Sequence, residues 1–353
     1  MSTGVVLLNF GEPSTPERGP VVEYLTRIFM NNADLEEYDS REDAMERSRE
    51  LAQRRAAGLI EEYEEIGGSP LNEQSEAQAD ALAAELADRD IDVEVYTAYQ
   101  FTDPLIEDTA ERAHEDGIDH LVSLPVYPLC GPSTNVAAND DLEAAIDAID
   151  GWDPEFDPIT GWHKHPTYNR IRAENVGGFL EDHGLDANAD GTRLVFSAHG
   201  TPTHYLEEGS RYDIYVEEMC RTITSLLGVE GYSLGYQNHE NRDIAWTEPD
   251  VETVIERLGD DDDVERVVVE PMSFMHEQSE TLSELDDELA EEAAEVGLEF
   301  HRVPVPHDDE RFPSVLADLV EPFATDFDPE YYQFRQCQCR DVPGTMCLNA
   351  PRE

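Results

Sequence analysis

Lysine is almost missing from this 353-residue chain: Lys164 stands alone, and lysine and arginine together number 23 against 81 aspartates and glutamates. The formal net charge is −58, spread along the whole length rather than held in a tail. So few basic side chains exclude a nucleic-acid partner, which would need a basic patch to displace counterions from phosphates. Acidity of this extent fits a high-salt cytoplasm, where screening over a few ångströms removes the surface's self-repulsion. Acidic residues are therefore weak functional clues here unless their position is unusual. Long apolar runs are missing too: no segment approaches the ~20 residues needed to span a bilayer, and no leader pattern opens the chain. A cytoplasmic protein is expected, with at most peripheral membrane contact. Cysteine is scarce, with five residues. Cys337, Cys339 and Cys347 crowd into QCQCRDVPGTMC, a spacing that suits a metal better than disulfides in a reducing compartment.

What is present is alternation. Apolar runs suited to buried parallel strands occur in GVVLLNF near the start, then at 93–99, 120–126, 193–198, 232–236, 264–274 and 300–305. Between them lie stretches with apolar positions near the helical period, at 41–65, 72–89, 104–116, 136–149, 167–182, 211–227, 250–258 and 280–296. Asn72 and Asp250 are the expected N-caps of two of these helices. Strand and helix in turn predict an α/β fold with parallel sheets. The Pro-, Gly- and Trp-rich segment 151–166 separates halves of similar make-up. The expectation is two doubly wound, Rossmann-like domains, 1–155 and 156–326, followed by a cysteine-bearing extension, 327–353. Open α/β sheets bind ligands at the carboxyl ends of their strands.

Three strand ends stand out. RLVFSAHGTP puts His199 at the end of an apolar strand, where Gly200 and Pro202 force a turn; a structural loop histidine is the plainer reading. VVVEPMSF leads into MHEQSETLSELDDE, where Glu280, Glu284 and Glu288 recur every four residues and would stack on one helix face. In so acidic a chain a solvated face is the plainer reading, but Glu280 falls in the first turn after a buried strand. HLVSLPVYPLCGPST runs into a loop carrying Tyr127, Cys130, Ser133 and Thr134, a position that favours ligand contact.

Together with LLNFGEP, RIFMNN, IGGSPL and YQNHENRDIAWTEP, these segments resemble, in family order, the ferrochelatases, which insert ferrous iron into a porphyrin at the end of haem synthesis. The resemblance runs from about residue 7 to about 290. It implies two Rossmann-like domains with a porphyrin cleft between them, and Fe2+ and porphyrin as substrates. Carried over by position, His199 matches the family's active-site histidine and Glu280 its facing glutamate, with Glu284 and Glu288 the acidic row behind it. These four would handle the metal, and Tyr127, Ser133, Thr134 and Trp246 would line the porphyrin site. Metallation removes two pyrrole protons and delivers a hydrated dication, so it needs a proton acceptor and carboxylates that hold and release the ion.

The chain departs from the family pattern at Glu277-Gln278, where many relatives have Asp-His, and at Gln100-Phe101, where relatives often have Arg-Tyr. The choice between protoporphyrin IX and coproporphyrin III stays open. Some ferrochelatases hold a [2Fe-2S] cluster with three C-terminal cysteines and one from the body. By resemblance Cys337, Cys339 and Cys347 would be three ligands and Cys130 the fourth, Cys220 reading as a core cysteine; a zinc site is the alternative. Two other functions stay open: a cobalt or sirohydrochlorin chelatase, which His276 would suit as a second histidine, and a non-catalytic tetrapyrrole or iron carrier.

Overall fold

A computed structural model of the protein describes residues 2–13, 15–33, 38–238 and 244–325, and the backbone of 335–336 and 346–347. The chain divides into two compact units. The first comprises residues 1–126, 133–159 and 317–327, and the second 127–132, 160–316 and 328–353.

In the first unit, β1 (Thr3–Asn9), β2 (Glu94–Tyr99), β3 (His120–Pro125) and β4 (Glu155–Pro158) form one sheet in the order β2-β1-β3-β4. All three pairings are parallel. Its helices are α1 (Arg18–Asn31), α2 (Arg41–Ile66), α3 (Leu71–Asp88), α4 (Ile106–Glu115) and α5 (Ala137–Ala148). β1 is buried along its length, as expected of a central strand covered on both faces. β4 escaped the sequence reading because EFDP is short, polar and proline-ended, and it is an edge strand, where such residues are tolerated. Between sheet and helices, Val6, Leu8, Ile106, Leu121, Leu142 and Ile146 close one core. Each such side chain stabilises the fold by about 1.5–3 kcal/mol.

In the second unit, β5 (Gly191–His199), β6 (Tyr232–Gln237), β7 (Val264–Pro271) and β8 (Glu299–Arg302) repeat the same order, β6-β5-β7-β8, again all parallel. Its helices are α6 (Pro166–His183), α7 (Thr203–Glu207), α8 (Tyr212–Leu227), α9 (Val251–Gly259), α10 (Ser279–Leu282) and α11 (Ala290–Glu295). A last helix, α12 (Phe312–Ala324), begins here, and its later residues belong to the first unit. There Arg89 pairs with Asp318 at 2.7 Å and Glu321 at 2.9 Å. A short hairpin of β9 (Arg335–Gln336) and β10 (Met346–Cys347) follows, with Cys347 opposite Arg335. Among the described residues, no helix is long and apolar enough to cross a membrane.

Three local expectations need correction. Asn72 does not cap α3: it lies inside the first turn, donating to the Glu12 carbonyl and accepting from the Glu12 amide, each at 2.9 Å. Asp250 does occupy the cap position of α9, but its carboxylate accepts from the Asn238 side chain instead of capping. The predicted helix 280–296 is broken into α10, a π-helical segment Glu284–Leu289 and α11.

Candidate active site

A sheet of order 2-1-3-4 has its switch point between the first and third strands, because the connections leaving them run to opposite sides. In the second unit those strands are β5 and β7. The last residues of β6, β5 and β8 are Gln237, His199 and Arg302, and β7 ends at Pro271, so the strand ends place the site's side chains along one edge.

His199 is fixed on several sides. Its amide donates to Ser273 Oγ at 2.8 Å, its carbonyl accepts from Tyr212 Oη at 2.8 Å, and its Nδ1 is 2.6 Å from the Gly200 carbonyl. With Nδ1–H donating to that carbonyl, Nε2 is the nitrogen left for chemistry. It faces Glu280 Oε1 at 3.2 Å. Gly200 is required where it stands: a Cβ there would lie 2.9 Å from the Gln237 carbonyl and 1.7 Å from Asn238 Oδ1. Burial works against charge on His199, but Glu280, then the Gly200 carbonyl and then Glu284 overcome it and raise the imidazole to about 9.

Glu280 enters from α10. Gln278 caps that helix, closing a reciprocal box with Thr281, and its amide also reaches Glu280 Oε2. Gln237 joins the carboxylates. Its Nε2 donates to Glu284 Oε2 and to the Glu280 carbonyl, each at 3.0 Å, while its Oε1 accepts from Ser197 Oγ at 2.8 Å. Burial raises Glu284 to about 8, repulsion from Glu280 adding to the effect and the Gln237 hydrogen bond opposing it.

The acid row runs outward from Glu280, 18% exposed, through half-buried Glu284 to exposed Glu288. The π segment keeps it a row. In an α-helix a turn takes about 3.6 residues, so a four-residue step overshoots it. A π turn is wider and the same step falls short. The two drifts oppose each other across the junction. The structure thus brings His199, Glu280 and Glu284 together and leads from them to Glu288. Among the described residues no three histidine, cysteine, aspartate or glutamate side chains close into a metal cage.

The other expected residues are placed as follows. Pro202 bridges Trp246, which brings the WTEP segment alongside the histidine turn. Tyr127 is half-buried at the start of the 127–132 loop, whose Pro128 carbonyl accepts from the amides of Trp162 and His163. Ser133 and Thr134 belong to the first unit, in a π-type turn distorted at Thr134. In that unit LLNFGEP meets IGGSPL: the buried Glu12 carboxylate accepts from Tyr63 Oη at 3.1 Å and from Ser69 Oγ. Gln100 donates to Asp141 Oδ2 at 3.1 Å. His276 is a core residue, 2% exposed, and burial pushes it down to about 3. Cys130 is buried in its loop, and Cys220 is fully buried beside Met272. Cys337 and Cys339 lie outside the described residues, as does the Cys347 side chain.

The sequence reading missed Gln237, Tyr212, Ser273 and Arg302, and named Gln278 only as a departure from the family pattern. Gln237 had a signal, a polar residue closing an apolar strand. Arg302 had a stronger one, a scarce basic residue inside the apolar run 300–305 of so acidic a chain.

Comparison with known proteins gives the family of the chain. The Ferrochelatase family model matches residues 2–323. The chain is 33% identical over 322 residues to the ferrochelatase of Nostoc punctiforme, covering 90% of this chain and 81% of the relative. It is 34% identical over 333 residues to that of Synechococcus sp. strain JA-3-3Ab, covering 91% and 93%. Among solved structures it is similar in fold to SirB from Bacillus subtilis with Fe3+, with a TM-score of 0.54 and 11% identity over 92% of this chain and 97% of that one. By family match and by relatives across nearly its whole length, the chain belongs to the ferrochelatases, the porphyrin metal chelatases of haem biosynthesis.

Proposed function

We propose that His199 and Glu280 carry the metallation step, in which Fe2+ enters a porphyrin and two pyrrole protons leave, and that Glu284 and Glu288 are the route for metal or protons. The observation that carries this reading is the 3.2 Å approach of His199 Nε2 to Glu280 at the inner end of an acid row that reaches solvent. In the resting site the pair holds a proton. A dication arriving at the carboxylates disfavours the imidazolium, and the proton departs along the row. The freed Nε2 then accepts one pyrrole proton, passes it to the row and accepts the second, while the carboxylates, which do not cage the ion, release it to the macrocycle. Tyr127, Ser133, Thr134 and Trp246 are proposed to contact the porphyrin. The acidic surface supports a cytoplasmic, high-salt setting.

Both His199 and Glu284 keep their protons to higher pH than usual, at about 9 and about 8. The forms that accept a pyrrole proton and hold the metal are the deprotonated ones. Initial rates at limiting metal should therefore climb between about pH 7 and 9. Gln237→Leu removes the hydrogen bond that lowers Glu284, so it should move the climb to higher pH. A limb in the ordinary carboxylate range would contradict this assignment.

The tail cysteines, with Cys130, are proposed to hold a [2Fe-2S] cluster; only Cys130 among them has a described side chain, buried at 7% exposure. Anaerobically purified protein should show visible charge-transfer absorption and acid-labile sulfide equal to its non-haem iron. Stoichiometric zinc without sulfide would establish the zinc site instead. No step of the metallation is routed through either.

A further inference from the structure

Arg302 ends β8 with 9% of its side chain exposed and uses its whole guanidinium fork. Nε and Nη2 grip Asp286 at 2.6 and 2.5 Å, and Nη1 meets both oxygens of Glu277 at 2.8 and 3.0 Å. Glu277 also accepts from the Val305 amide at 2.8 Å and from Thr281 Oγ1 at 2.7 Å. Thr281 Oγ1 in turn accepts from the Gln278 amide at 3.0 Å, and the Gln278 side chain reaches Glu280. One arginine thus holds the turn that presents Glu280 and, through Asp286, the π segment that carries Glu284 and Glu288.

That segment stands between two registers. The Ser283 carbonyl accepts from the Asp287 amide, an α bond, and from the Glu288 amide, a π bond, both at 3.1 Å. With the two bonds matched in length, a side-chain tether decides the register. Return to the α register would rotate Glu288 by one residue, about 100°, out of line with Glu284. We infer that Arg302 is a positioning residue that holds the π register of the acid row through Asp286 and Glu277, and so sets how well the row takes up a divalent metal. This rests on the reading that the row carries metal. Lysine cannot replace it, since a point charge does not span two carboxylates as a planar fork does.

The test uses the full chain in multimolar KCl, with the variants Arg302→Lys and Asp286→Asn. Initial rates are measured with Co2+ varied at saturating porphyrin and with porphyrin varied at saturating Co2+, and Co2+ affinity is measured by calorimetry without porphyrin. The expected result is a KM for metal raised at least about tenfold in both variants, a matching loss of Co2+ affinity, and a porphyrin KM within about twofold of the parent. An unchanged metal KM and Co2+ affinity would overturn the inference, as would a rise of both KM values together. Should Arg302→Lys fail to fold, Asp286→Asn reads the same clamp with its shape kept. Failure of the metallation reading itself would appear as an inactive parent protein, and the Co2+ titration would still compare the clamp variants.

Discussion

Glu280→Gln is expected to lower the rate of porphyrin metallation by about 10²–10⁴-fold, the range for loss of a positioned proton-transfer group. The change keeps the side chain's size and removes its charge. It takes away the main cause of the high His199 pKa, because Glu280 contributes both charge and a hydrogen bond there. His199 then loses its proton at lower pH, but the carboxylate that meets the incoming dication is gone, so the gain in free base does not restore the rate. Repulsion on Glu284 is relieved as well. Rates followed by loss of free-porphyrin fluorescence check this, with porphyrin binding by the variant as the control for folding. Activity within threefold of the parent would remove Glu280 from the chemistry.

Arg172→Met is expected to cost about 3–5 kcal/mol of stability, because breaking a buried ion pair leaves its partner charge uncompensated. Arg172 and Glu270 are both fully buried and paired. Arg172 also donates to the carbonyls of Pro271 at 2.8 Å and Phe274 at 2.9 Å, pinning the loop that leads from β7 to Glu280. Removing it orphans a carboxylate that burial already pushes toward its neutral form, and two carbonyls besides. Denaturant midpoints read at several KCl concentrations test this. The loss should persist at high salt, where an exposed pair such as Arg221 and Glu217 is screened. A midpoint shift worth less than about 1 kcal/mol would contradict it. Arg172→Met/Glu270→Leu should recover part of the loss, since the buried charge leaves but the carbonyls stay unpaired.

Much of this was legible in the chain. Apolar runs mark central strands because both faces are covered, so β1, β5 and β7 announce themselves. A polar edge strand such as β4 does not. The place of His199 at the end of β5 was readable from an apolar strand closing before Gly200, while its role came from the family resemblance. The acid row was readable in its spacing but not in its geometry, since the choice between α and π rests on Arg302, sixteen residues beyond Asp286 in the chain. His276 shows the opposite limit. Next to Glu277 in sequence it looked like a ligand, but the turn after β7 buries it in the core. Asn72 had the right chemistry for a cap, yet its amide joins α3 to Glu12 across the end of β1.

The most direct test of the central claim is anaerobic metallation in multimolar KCl with Fe2+, comparing the parent protein with His199→Ala on protoporphyrin IX and coproporphyrin III. The parent should quench the fluorescence of at least one porphyrin with formation of haem absorbance, and His199→Ala should bind that porphyrin and leave it unmetallated. Equal turnover by both proteins, or tight binding without turnover by the parent, would contradict the account.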